Sequence, residues 1–394
     1  MGGRCVGCLR RFSGSAVILL WCVAAVAAGY QLLVIIAALR HLSRHDPVPR
    51  LLPPVSILKP VYGGDPHFAE AMRSHAVLDY PEYEVLIGIG RDDPARAEAE
   101  RLAAEFPGRL KLVETHTHAA NGKVGALIDL AAAARYPIWL VNDSDINVPP
   151  DYLRRLVGYL EDPEVGVVTC IYRPASEHTP GRWEALGIST DFAPSVLVAR
   201  LIGVREFGLG ATLLFRAQDL AAAGGFEALA EYLADDYQLA RHITQLGRRV
   251  ELARLVVETQ PAGSSWSEVW RRQLRWARTI RVSRSGYIGL PMANASLWAL
   301  TSLAAGAWQA AAGLLALRLL AGLMVGVGIL KSREVARLAL LIPFCDLWGF
   351  LVWLFGLWGN QVQWRGMRLR ITPDGRIAER RPASAETFSF AKMG

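Results

Sequence analysis

The residues from Ile138 to Pro150 carry a dense set of chemically useful side chains. An apolar run, Ile138-Trp139-Leu140-Val141, meets Asn142-Asp143-Ser144-Asp145, and Pro149-Pro150 then stops regular structure. Two carboxylates spaced Asp-x-Asp at a strand end make a hard, anionic oxygen cluster. Such a cluster suits Mg2+ or Mn2+, with a ligand's phosphates completing the shell. Asp, Asn and Ser are also ordinary turn residues, so the pattern draws its meaning from the rest of the chain.

Three further groups belong beside it. Asp92-Asp93-Pro94 follows a predicted strand over 83–89 and also makes a good helix start. Asp235-Asp236 falls in a predicted helix over 229–246. A second helix, 266–284, carries arginine at 271, 272, 275, 278, 281 and 284, interleaved with Trp266, Trp270, Leu274 and Trp276. That mix suits a helix lying in a membrane interface. Arg272 and Arg275 can also give bidentate hydrogen bonds to phosphate, the other four facing lipid headgroups. His116 and His118 sit in a turn and read as solvated. Cys5 and Cys8 lack the second pair that a zinc site needs.

Positioning these groups requires a scaffold, and the alternation of elements supplies one. Strands are predicted at 55–58 (ending at Lys59-Pro60), 83–89, 110–114 and 138–141. Helices are predicted at 65–78 and 94–106, and a third opens at Asn121-Gly122-Lys123 and runs through Ala134. This implies an α/β fold with a mostly parallel sheet and right-handed crossovers. In such sheets ligands gather outside the carboxyl ends of the strands. After Pro150 the pattern loosens, with strands at 165–172, 211–215 and 250–257 and a helical or irregular stretch at 185–204.

The flanks differ from this middle. Residues 16–39 are apolar apart from Gln31, long enough for a retained transmembrane anchor and too long for an ordinary signal core. Residues 288–330 and 335–358 are also apolar. Arg318 inside the first run is costly there unless it pairs, snorkels or sits at an interface. These flanks explain the 52% hydrophobic content, and the +7 net charge suits an anionic membrane surface and a phosphate ligand. No basic-aromatic recognition motif supports nucleic acid as a partner. With one cysteine, Cys170, in the large middle domain, no disulfide framework is expected and a reducing compartment fits. The expected organisation is an anchor at 1–40, a linker at 41–54, a catalytic domain at 55–262, an interfacial helix at 263–287, membrane helices at 288–359 and a basic tail at 360–394. The positive-inside rule puts that tail in the cytosol. A nucleotide-using domain belongs there too, which demands an even number of crossings between the two. The apolar runs allow two or three.

Read in order, Asp92, Asp143-x-Asp145, Asp235-Asp236 and Arg272-x-x-Arg275-Trp276 resemble the motifs of membrane-bound family 2/21-type glycosyltransferases. Val55-Ser-Ile-Leu-Lys-Pro, Asn121-Gly-Lys and the segment Trp364-Arg-Gly-Met-Arg-Leu-Arg extend the resemblance to the ceramide glucosyltransferases, over residues 15 to 380. Thr190-Asp-Phe-Ala-Pro-Ser-Val departs from the animal enzymes and is similar to the bacterial hopanoid-associated group. The resemblance implies a GT-A-like, nucleotide-sugar-binding domain and inverting transfer of glucose or N-acetylglucosamine from a UDP-sugar to a membrane lipid. A hopanoid polyol is the favoured acceptor and ceramide the second, in a bacterial inner membrane with the catalytic domain cytosolic. It implies Asp236 as the base. Asp143 and Asp145 would hold a divalent metal. Lys59, Pro60, Asp92, Lys123, Asp143, Arg272, Arg275 and Trp276 would surround the nucleotide-sugar. A polysaccharide synthase and a non-catalytic scaffold are the rival readings; the first would need more crossings, and the second a broken motif.

Overall fold

The computed structural model describes residues 14–63, 65, 67–260, 265–283 and 286–382; Cys5, Cys8 and Arg284 lie outside them. The eight strands of the main sheet are β1 Val55–Pro60, β2 Tyr83–Ile89, β3 Leu110–Glu114, β4 Ile138–Val141, β5 Ile146–Asn147, β6 Val165–Pro174, β7 Leu213–Arg216 and β8 Arg249–Thr259. They lie in the order β3-β2-β1-β4-β7-β6-β8-β5. β3, β2, β1 and β4 are mutually parallel, as are β6 and β8, whereas β7 runs against both β4 and β6. Strands covered on both faces are mostly apolar, and every residue of β1 and β2 is buried, with Ser56 donating to Glu84 at 2.8 Å among the few polar ones. The order reverses between β1 and its neighbours β2 and β4. This switch point is where an α/β sheet opens a crevice.

One sheet face packs on Phe68, Met72, Ala99, Leu102, Tyr152 and Leu153 from three helices. The other face receives the helix Gly122–Ala133, the helix Ala193–Leu201 and part of the membrane-facing bundle. Val34, Ala37 and Ala38 of the helix Gly14–Leu42 join that second core, as do Ala321, Val325 and Ile329. The catalytic-type domain and the apolar helices therefore share side-chain packing.

Among the described residues, three helices are long and apolar enough to cross a bilayer: Ile18–Leu42, Trp308–Ile329 and Arg333–Gly356. Many of their large apolar side chains face outward, among them Leu33, Ile36, Leu320, Phe344 and Leu351, the lipid-facing pattern expected of such helices. A fourth apolar helix, Ala295–Ala304, has ten residues. At about 1.5 Å per residue it reaches only half of a bilayer core of about 30 Å. Alanines 24, 27, 295, 299 and 311 mediate the contact of these helices, as small residues do where no hydrophobic effect drives association. Arg318 pairs inside the bundle. Its guanidinium donates to both Asp346 oxygens, at 2.7 and 2.6 Å, and Ser296 Oγ adds a third hydrogen bond to that carboxylate.

The segment expected to be a basic tail carries a second sheet, of β9 Gln361–Trp364, β10 Met367–Ile371 and β11 Ile377–Pro382. Val362, Leu369, Ile371 and Ile377 pack on Leu233 of the main domain. Main-chain hydrogen bonds, Leu233 N to Gly375 O and Ile377 N to Glu231 O, fasten the two together. Since this sheet touches the domain, both lie on one side of any membrane. Two full-length helices between them satisfy that demand for an even count.

Candidate active site

The site lies at the switch point, outside the carboxyl ends of β1 and β4. Lys59 ends β1 fully buried, and its ammonium donates to the Asp143 carbonyl at 2.8 Å. Burial pushes this group down to about 7 against the pull of Asp145, Asp143 and Asp65. Pro60 is buried beside it at the strand end. The turn after β4 is held on its far side by β5, whose Ile146 pairs with Thr259. The Thr259 hydroxyl donates to Asp145. Burial and the neighbouring Asp143 hold the Asp145 carboxyl above the usual range.

Lys123 is the hub. Asn121 caps its helix, accepting from the backbone N–H groups of Lys123 (3.0 Å) and Val124 (3.4 Å). The same amide donates to Tyr232 O at 2.8 Å and so ties the 232–235 turn to this helix start. The Lys123 ammonium then bridges Asp143 at 2.8 Å and Asp235 at 3.1 Å. Burial alone would lower its affinity for the proton, but Asp143, Asp235 and Asp236 outweigh burial and raise it. Reciprocally, Lys123 outweighs burial at Asp143 and keeps that carboxylate below its usual range, with help from Arg365 and Lys59.

Asp235 and Asp236 open the helix Asp235–Thr244, where the macrodipole favours negative charge. The predicted helix over 229–246 is shorter in fact, because residues 230–234 form the turn that Asn121 holds. Asp236 accepts from Gly210 N at 3.0 Å and from Tyr237 N at 2.7 Å. Burial, then the neighbouring Asp235, pushes its carboxyl up to about 6. Gly210 is the spacer of the site. A Cβ placed there would stand 3.1 Å from Asp143 Oδ2, 3.5 Å from Asp236 Oδ2 and 3.6 Å from Lys123 Nζ. Only a residue without a side chain leaves that gap open.

The remaining expected residues take varied places. Asp92 lies exposed in the turn after β2. Its neighbour Asp93 holds the turn before the helix Arg96–Glu105, accepting from Ala95 N at 2.9 Å and from Gly63 N at 2.8 Å, and no side chain caps that helix. Arg272 is held by Glu184, a fully exposure-free carboxylate, through Nε hydrogen bonds of 2.9 and 3.1 Å. Arg275 is half-buried, and its proton affinity falls to about 10 through burial and then the nearby Arg272, against the pull of Asp143. Trp276 is half-buried next to it on the same helix. The lipid-headgroup reading of Arg278 and Arg281 is corrected. Their guanidiniums donate to the Trp358, Gln361, Leu357 and Gly359 carbonyls, where the last membrane helix ends.

The C-terminal sheet brings to the site two residues, Trp364 and Arg365, that have no site role in the sequence reading. Trp364 pairs with Met367 across a two-residue turn, Arg365-Gly366, with φ of 49° and 71°. Both left-handed values fit a tight hairpin, a conformation uncommon for arginine. The Arg365 guanidinium lies 5.2 Å from the Tyr62 ring and 5.0 Å from the Trp364 ring. Arg275 lies 6.0 Å from that same indole. Tyr62, Lys123, Trp364 and Arg365 thus line one narrow cleft.

A doubly wound sheet with carboxylates gathered at its switch point is the GT-A-like glycosyltransferase architecture. It is shared with a mannosyltransferase from Pyrobaculum calidifontis, solved with GDP-Man and Mn2+, at a TM-score of 0.54 and 22% identity over 86% of this chain and 97% of that one. The chain belongs to glycosyl transferase family 21, whose model matches residues 19–377. Among curated relatives, it is similar to ceramide glucosyltransferase 1 of Caenorhabditis elegans, 28% identical over 57% of this chain and 47% of that one. It is also similar to beta-monoglucosyldiacylglycerol synthase of Synechocystis sp., 29% identical over 51% of this chain and 42% of that one. The matches span about half the length of these relatives or less.

Proposed function

We propose that the chain transfers a hexose, glucose or N-acetylglucosamine, from a UDP-sugar to a hydroxyl of a membrane lipid. The observation that carries this reading is the gap at Gly210, flanked by Asp143, Asp236 and Lys123. Asp236 is placed as the base. As the acceptor oxygen bonds to the anomeric carbon, the hydroxyl proton passes to the Asp236 carboxylate and the bond from that carbon to the diphosphate breaks. Inversion follows from a single displacement. Asp236 is suited to the task because its proton affinity is raised towards neutrality, while its two backbone donors fix its direction.

Asp143 and Asp145 are the residues that would hold a divalent Mn2+ or Mg2+. Both are hard oxygen donors in the turn after β4, with Asp143 beside the gap at Gly210, and the ion would offset charge on the departing diphosphate. Lys59 supports that turn from below through the Asp143 carbonyl. Arg275 and Arg365, both near the Trp364 ring, supply guanidiniums for phosphate oxygens. Asp92, exposed at the end of β2, is free to accept from the ribose or uracil. Arg272 acts through its pairing with Glu184, which sets the helix bearing Arg275. The apolar helices keep this site at the bilayer, with the domain on the cytosolic face of a bacterial inner membrane.

The hopanoid polyol is the favoured acceptor, from the segment Thr190–Val196. In the structure this segment begins within a π-helical turn, Ile188–Phe192, packed beside membrane-facing helices. Ceramide stands second, and the Synechocystis relative adds diacylglycerol. The test is turnover by purified protein in detergent, offering UDP-glucose and UDP-N-acetylglucosamine with each of the three lipids, with and without Mn2+. Hopanoid glycoside as the main product supports the reading. Exclusive use of ceramide or diacylglycerol would overturn the acceptor, and absence of turnover with either donor would overturn the donor.

A further inference from the structure

Away from the carboxylates, the ends of two membrane helices meet the sheet and enclose a cavity of about 370 Å³. His41 and Leu42 end the first helix, residues 328–331 end the second, and Arg254 on β8 forms the floor. Three observations bear on what it holds. First, His41 is only 3% exposed, and neither of its ring nitrogens has a hydrogen-bond partner. An imidazole always carries at least one N–H, so this buried ring at the cavity wall is a donor without an acceptor.

Second, the wall is cationic. Arg155, Arg173, Arg254 and Lys331 line it, and no acidic side chain does. Arg155 is balanced by Asp46 and Arg173 by Glu258, each at 2.7 Å. Arg254 and Lys331 form no ion pair among the described residues: the Arg254 guanidinium donates to the Arg44 carbonyl at 2.8 Å and Lys331 is exposed, so neither cation has an acidic partner. Third, Lys331 holds a left-handed backbone, φ 55°, in the turn between the two last membrane helices. A lysine in a conformation that glycine or asparagine fills more easily marks a position where the side chain matters.

A basic pocket between membrane-helix ends is suited to a phosphate headgroup, and Leu42 and Ile329 offer apolar contact for the glycerol and first methylenes. We infer that this cavity is a binding site for the phosphate of an anionic phospholipid, separate from the transfer site and independent of which sugar or acceptor is used. The phosphate would accept from His41 and pair with Arg254 and Lys331.

The test uses the full chain purified in a neutral detergent, with thermal melting followed as ligand is added. The ligands are dioleoylphosphatidylglycerol, dioleoylphosphatidylcholine, glycerol 3-phosphate and inorganic phosphate. The proteins are the parent, Arg254→Gln and Lys331→Asn. Asparagine accepts the left-handed backbone, so the last variant keeps the turn. Phosphatidylglycerol is expected to raise the melting temperature saturably, and the half-saturating amount to rise about fivefold in each variant, the factor for one cation near a membrane surface. A soluble phosphate that reproduces the whole effect, and loses it in both variants, would overturn the lipid source. Equal saturation of parent and both variants, or an equal response to phosphatidylcholine, would overturn the site.

Discussion

Replacing Gly210 by alanine tests the reading at a single methyl group. Its Cβ would approach Asp143 Oδ2 to 3.1 Å, under the ordinary contact range that begins at 3.4 Å, so the carboxylate must yield by a few tenths of an ångström. The same methyl would stand 3.5 Å from Asp236 Oδ2, within the gap assigned to the reacting sugar and hydroxyl. A misplacement on the order of 1 Å at a reacting centre lowers a rate by about 100-fold. We expect kcat to fall by about 100-fold, equivalent to ~2.7 kcal/mol of activation free energy. Stability should hold, because Gly210 does not use a left-handed φ, and alanine restricts the unfolded chain in its favour by about 0.4–1 kcal/mol. The assay pairs initial rates of lipid glycoside formation over a range of donor concentrations with a thermal melt. A variant that melts like the parent and turns over within threefold of it would refute the assignment of this gap to the reaction.

Four other expectations follow from the same geometry. Asp236→Asn should bind UDP-sugar like the parent and lose transfer by about 1,000-fold, in the range for a missing general base, read by calorimetry beside turnover. Because Asp236 must be unprotonated to accept a proton and its carboxyl is raised to about 6, log kcat should rise with slope near one below that pH and level off above it. A flat profile between pH 5 and 7 would argue against Asp236 as base. Lys123→Met should leave Asp143 and Asp235 facing each other without their shared cation and weaken donor binding together with stability, measured by UDP titration and melting. Asp346→Ala should destabilise the membrane bundle by about 3–5 kcal/mol through an unpaired Arg318, whereas the double change Arg318→Leu with Asp346→Leu should recover most of that loss in a detergent melt.

The sheet was readable because its strands obey simple rules. β1 and β2 are buried on both faces and so appear as mostly apolar runs, interrupted by Ser56, Lys59 and Glu84, and Asn121 announces a helix by the type of its side chain. The carboxylates were readable as types, and the family resemblance ordered them. What escaped was relational. Gly210 carries no side chain to notice, and its meaning comes from which atoms surround it. The partnership of Arg272 with Glu184 joins residues 88 positions apart, one of them in a helix without any motif. Arg318 was ambiguous until Asp346 appeared opposite it. The C-terminal sheet did leave a signal. Val362, Trp364, Met367, Leu369 and Ile371 alternate around Arg365-Gly366, a period of two about a two-residue turn, but the density of arginines reads as a solvated tail.

The hairpin bearing Arg365 has a consequence in time as well as in space. A ribosome delivers Lys59, Lys123, Asp143 and Asp236 before it delivers the last two apolar helices, and Trp364 and Arg365 follow those helices. One wall of the cleft is therefore made only after the last two helices long enough to cross a bilayer have been synthesised. A nascent domain waiting outside a membrane holds its acidic groups but lacks the guanidinium and indole that close the cleft. For the proposed transfer, this order means that the donor cleft is complete only once the apolar helices that would reach the lipid phase have been made.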